Sequence, residues 1–218
     1  MPALFLNFLG SFFYFILFAD SGFANVLYGA TKIMLVVWPF AWLFFFRNLP
    51  GFSTSINVKN SLLWGFLSGI LILILGLGTF FLFPEFFLSF QPQVQEKVLQ
   101  MGIEKHYLLF AAGISVFHSL LEEFYWRYFV FRGLMIRSSI IPAAIISSAG
   151  FSLHHFVILS QYFPVLLTAL FGFFVFLGGL LWCGLYAKTN SFWGNWLSHF
   201  FVDVGIFLVG YFILIGSI

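Results

Sequence analysis

The stretch LLWGFLSGILILILGLGTFFLF, residues 62–83, runs for 22 residues without a charged side chain. As a helix rising about 1.5 Å per residue it covers the roughly 30 Å hydrocarbon core of a bilayer. The rest of the chain repeats the theme: of 218 residues, 62% are hydrophobic and 7% charged, where an ordinary soluble domain has about a quarter charged. A soluble fold cannot cover that much apolar surface, whereas lipid can surround the outward faces of helices whose backbone bonds are satisfied internally. The sequence therefore predicts an all-α fold, a polytopic transmembrane helix bundle forming one integral membrane domain over residues 1–218 with no soluble appendage.

Apolar runs between short polar punctuations predict about seven spanning helices, near residues 3–19, 26–46, 62–83, 107–131, 141–159, 164–187 and 192–215. The one long polar stretch, residues 84–106, is expected to be an interfacial helix or a loop. The start of the chain lacks the basic residues and cleavage site of a signal peptide, so its first apolar run is expected to be retained. Arg47 and Lys59, then Arg127, Arg132 and Arg137, then Lys188 fall on one side. By the positive-inside rule this predicts a cytoplasmic N-terminus and an external C-terminus, in a prokaryotic cytoplasmic membrane. Lys32, within the second span, is expected to snorkel outward. A net charge of +2 without a block of like charges argues against a nucleic-acid partner. The single cysteine, Cys183, allows neither an intrachain disulfide nor a CxxC motif.

Ionisable groups inside spans cost roughly 2.5–3.5 kcal/mol or more each, so those present need partners and mark function. The fourth span carries His118, Glu122, Glu123 and Arg127, the fifth His154 and His155, and the seventh Asn195, His199 and Asp203. Residues four apart share a helical face. Glu123 can thus pair with Arg127 while Glu122, pointing elsewhere, stays available for chemistry. His118 lies four before Glu122 and is an accessory candidate. Asn195, His199 and Asp203 form one polar stripe on an otherwise apolar helix. Periodicity does not choose between His154 and His155.

Glu122-Glu123-Phe-Tyr-Trp-Arg127 resembles the EExxxR motif of the CPBP family of intramembrane proteases, which includes CAAX prenyl endopeptidases and bacteriocin-processing proteins. Phe151-Ser-Leu-His-His155 is similar to that family's FxxxH motif, and His199-Phe-Phe-Val-Asp203 to its HxxxN/D motif. The three occur in the family's order within residues 107–218. The resemblance implies an intramembrane endopeptidase acting on a membrane-anchored protein or peptide. It selects His155 over His154 and makes Glu122 the catalytic glutamate, with Glu123 and Arg127 in structural support.

The implied reaction is peptide hydrolysis in which Glu122 deprotonates a water held by His155, His199 and Asp203, with His155 assigned to the oxyanion side. No cofactor is required by this reading; the alternative is zinc held by the same four residues, an acceptable donor set with a position left for water. The chain has no HExxH and no GxSxG motif. The competing function classes are a transporter or channel lined by the same polar groups and a non-catalytic immunity or maturation adaptor. One geometric difficulty accompanies the joint site. Glu122 and His199 should both lie nearer the cytoplasmic side, whereas a straight fifth helix starting at Ile141 carries His155 toward the outer side. The fifth is therefore expected to start deeper, with residues 138–144 partly buried, or to kink near Ser147–Gly150.

Overall fold

The computed structural model describes residues 2–18, 21–46 and 56–216. Helices account for 88% of it, and none of the described residues lies in a strand. In chain order the helices are α1 (Leu6–Leu17), α2 (Gly22–Phe46), α3 (Val58–Leu82), α4 (Pro84–Leu88), α5 (Gln91–Gln100), α6 (Glu104–Met135), α7 (Ile140–Leu159), α8 (Val165–Thr189) and α9 (Trp193–Ile215). The polar stretch after α3 is thus two short helices, each with a proline in its first turn, where the missing N–H costs nothing. Pro164 caps the start of α8 in an extended conformation. Asn190 ends that helix in the left-handed region, φ 52° and ψ 25°, and its N–H donates to the Tyr186 carbonyl at 2.7 Å.

Five helices, α3 and α6 to α9, are long and apolar enough to cross a membrane among the described residues. The expected count of about seven is not confirmed. α1 covers 12 residues, roughly 18 Å of helix, too short for a straight crossing. α2 has 25 residues with Pro39 inside it, and several of its side chains lie outside the described set. Arg47, used in the orientation argument, is also outside it. Two of the spans are poorly buried by protein: 17% of the most apolar window of α3 and 22% of that of α8. Outward residues such as Leu75, Val165 and Leu166 are exposed, the pattern of helices solvated by lipid.

The chain forms two compact units, residues 1–57 with 121–192, and residues 58–120 with 193–218. In the second unit α3 packs along α9 through small residues, the arrangement that lets helix backbones approach in a membrane. Ser61, Gly65 and Gly69 of α3 meet Gly194 and Ser198 of α9. The Gly194 N–H donates to Ser61 Oγ at 3.0 Å, and Ser68 Oγ donates to Ser198 Oγ at 3.0 Å. Trp196 Nε1 donates to the Val116 carbonyl at 3.0 Å, fixing the early part of α6 to α9. In the first unit α7 packs against α8, α1 and the later part of α6.

A side chain at Gly194 would collide with the Ser61 backbone, whereas one at Gly76 would meet nothing within 4 Å. Gly194→Ala is therefore expected to lower thermal stability in detergent by about 1–3 kcal/mol, and Gly76→Ala to leave it unchanged or raise it by up to about 1 kcal/mol. Equal effects of the two substitutions in a melting experiment would contradict the close packing of α3 on α9.

Candidate active site

The site is built on the departure of α6 from regular α geometry. Residues Ile114–His118 and Phe124–Phe131 are wound as π-helix, which widens the turn and frees backbone groups for other partners. The Trp126 carbonyl accepts from Ser147 Oγ of α7 at 3.3 Å. All seven residues from Tyr125 to Phe131 are buried, so this part of the helix is enclosed by protein on every side.

Immediately before that stretch stand the two glutamates, both essentially inaccessible. Glu123 is neutralised as the sequence predicts: Arg127 Nε lies 3.2 Å from its Oε2. The guanidinium is further enclosed by aromatic faces, its Cζ 4.5 Å from the Phe151 ring centre and 5.0 Å from that of Trp182, positions that favour a cation. Phe151 thus touches both sides of the arrangement, because its ring also packs against His155 at 4.8 Å between centroids.

Glu122 turns to α7. His154 Nε2 is 3.1 Å from Glu122 Oε1, with both side chains 1% exposed. His155 belongs to the same cluster: one donor atom from each of Glu122, His154 and His155 lies within 4.8 Å of the others, and the two imidazole rings are 3.9 Å apart. His154, which the motif resemblance passes over, lies at contact distance from the glutamate. The sequence signal for it was the doublet itself, since two adjacent intramembrane histidines flag both positions. His155 Nδ1 lies 3.1 Å from the Phe151 carbonyl oxygen. That oxygen only accepts, so in the neutral ring Nδ1 carries the proton and Nε2 presents a lone pair. A ring in that state takes a proton or a hydrogen bond from water rather than giving one to an oxyanion.

Glu122 and His155 meet although α7 is an unbroken helix starting at Ile140. The reason is that α6 continues to Met135, four residues past its expected end. From Glu122 to the end of α6 is roughly 20 Å, and from the start of α7 to His154 roughly 21 Å, so the two helices, joined by a short turn, bring the residues to one depth. Gly150 and Ser148, where a kink was expected, serve close packing instead: Gly150 faces the Trp126 ring, and Ser148 faces Gly179 of α8.

Lys32, expected to reach outward, is partly buried. In the second unit the predicted stripe on α9 is present. Asn195 is fully buried, His199 is buried, and His199 Nε2 lies 3.5 Å from Asp203 Oδ1. His118 is half-buried in the first π-helical stretch of α6.

Breaking one partner out of a buried ion pair leaves an uncompensated charge and typically costs about 3–5 kcal/mol. Arg127→Met is expected to lower stability by that order, and Glu123→Gln/Arg127→Met to lose less than the two single substitutions together. Additive losses in thermal melts of the purified chain would remove Glu123 and Arg127 from their supporting role.

No curated protein and no solved structure matches the chain. The family model described as type II CAAX prenyl endopeptidase Rce1-like matches residues 104–205. The matched segment begins with α6 and reaches into α9, and so contains all three motifs. The match, over a little less than half of the chain, supports the CPBP/CAAX protease family.

Proposed function

We propose that the protein is an intramembrane endopeptidase that hydrolyses a peptide bond of a membrane-associated substrate with Glu122 as general base. The observation that carries this reading is the contact of a buried intramembrane carboxylate with a histidine doublet on the neighbouring helix, within a segment that matches a protease family. His154, at contact distance from Glu122, orients the carboxylate. The lone pair on His155 Nε2 accepts a hydrogen bond from the attacking water, and Glu122 removes that water's other proton as oxygen attacks the scissile carbonyl. The proton then passes to the leaving amine. The motif resemblance adds His199 and Asp203, one turn apart on α9, as groups that hold water or substrate. The positive-inside reading gives the enzyme a cytoplasmic N-terminus.

A zinc-assisted version has its own support. A carboxylate and two imidazoles with donor atoms so close together suit zinc, and a bound ion would supply a Lewis acid and lower the pKa of its water. Glu122, His154 and His155 would hold it, a set that replaces His199 and Asp203 of the sequence expectation with His154.

A prenylated peptide ending in a CaaX sequence is the first probe, because the matched family is described by that substrate. The full chain in lipid vesicles is expected to release the terminal tripeptide. Glu122→Gln is expected to lower kcat by about 10²–10⁴-fold, the usual weight of a general base, with folding intact. Cleavage surviving both Glu122→Gln and Glu122→Ala would refute the assignment, and wild-type inactivity on prenylated and unprenylated membrane peptides alike would favour the adaptor reading.

A further inference from the structure

The segment before α1 lies outside the part of the chain that matches the family, yet it touches both helices that carry Glu122 and the histidine doublet. Pro2–Leu4 form one turn of 3-10 helix, which packs against α7 together with α1. Tyr125 stands three residues after Glu122 on α6 and is fully buried. An enclosed phenol needs a hydrogen-bond partner, and its hydroxyl donates to the Ala3 carbonyl at 2.6 Å.

The next residue reaches the other helix. A Cβ placed at Gly150 would lie 3.1 Å from Leu4 Cδ2 and 2.9 Å from the Trp126 ring, so the leucine and the indole close over the bare glycine backbone of α7. Gly150 precedes His154 by four residues and shares its face. On both helices these contacts are thus about one turn, roughly 4.5–6 Å along the axis, from the point where His154 Nε2 meets Glu122 Oε1 at 3.1 Å. Ser147 Oγ, donating to the Trp126 carbonyl at 3.3 Å, joins the same two helices directly.

From these contacts we propose that Ala3 and Leu4 form a clasp, anchored on Tyr125, that sets the spacing of α6 and α7 and so positions Glu122 against His154. A carbonyl and an isobutyl group on adjacent residues cannot follow two helices that drift apart, so a shift of α6 against α7 breaks one contact or the other. Small shifts matter, because a misplacement of about 1 Å can cost about 10²-fold in rate. The proposal rests on Glu122 being the working carboxylate. It adds Ala3, Leu4 and Tyr125 to the site as positioning residues, none of them a specified position of the three motifs.

The test uses the full chain in lipid, carrying isotope-labelled histidine. The His154 Nε2 magnetic resonance, identified by its loss in His154→Gln, is expected to move in Glu122→Gln, which removes the charge beside it. Tyr125→Phe deletes one hydroxyl and no carbon, and Leu4→Ala deletes the cover of Gly150. Each is expected to move the same resonance, and Leu4→Met to restore it. Should Leu4→Ala fail to fold, Leu4→Val is read instead. Gly194→Ala, which disturbs the other unit, is expected to lower the Tm and leave the resonance in place, so that positioning is told apart from a general loss of stability. The clasp needs both ends: a resonance that stays put in Tyr125→Phe or in the Leu4 variant overturns it, as does one that ignores Glu122→Gln or moves equally in Gly194→Ala. In the peptide assay Tyr125→Phe is expected to lower kcat by about 10-fold with KM unchanged, and an unchanged kcat in an active enzyme overturns the positioning role. Wild-type inactivity would refute the protease reading alone, because the resonance is read without substrate.

Discussion

A carboxylate in a bilayer must be neutralised or abandoned, and here two of them stand side by side on one helix. That constraint orders the first unit. Glu123 recruits Arg127 one turn away, and the arginine in turn requires the faces of Phe151 and Trp182 from α7 and α8. Glu122 points away and recruits His154 from α7. Two neighbouring charges thus fix the placement of two other helices, because in a low-dielectric interior each missing partner would cost several kcal/mol. Lipid exerts no comparable force on the apolar residues around them, since leaving a leucine against an acyl chain costs almost nothing.

The second unit solves a different problem with different means. α3 and α9 carry little charge to pair, and they associate through steric fit, with glycines and serines where side chains would keep the backbones apart. The hydroxyls of Ser61, Ser68 and Ser198 complete the contact. His199 and Asp203 therefore sit on a helix whose position is set by packing, whereas Glu122 sits on one whose position is set by charge.

Helix identities and the ion-pair register were legible in the sequence because both rest on local rules. Lipid demands about 20 apolar residues per crossing, and a spacing of four puts Glu123 against Arg127 on any helix. The depth of Glu122 was not legible. It depends on α6 running to Met135 through an apolar and basic stretch that reads equally well as a cytoplasmic connection. The choice between His154 and His155 also lay beyond periodicity, since adjacent residues differ only by rotation, and the rotation of α7 is set by the rings of Trp126 and Phe151.

The ion pair between Glu123 and Arg127 has a consequence for how the protein is made. Both members belong to the same helix, so the pair closes as soon as that segment coils, before any neighbour has arrived. The translocation machinery then meets a segment with one glutamate and its arginine already mutually cancelled, and the work of partitioning α6 into lipid falls by much of the cost of two charges. Biogenesis of the most polar crossing in the chain thus begins with an intrahelical event.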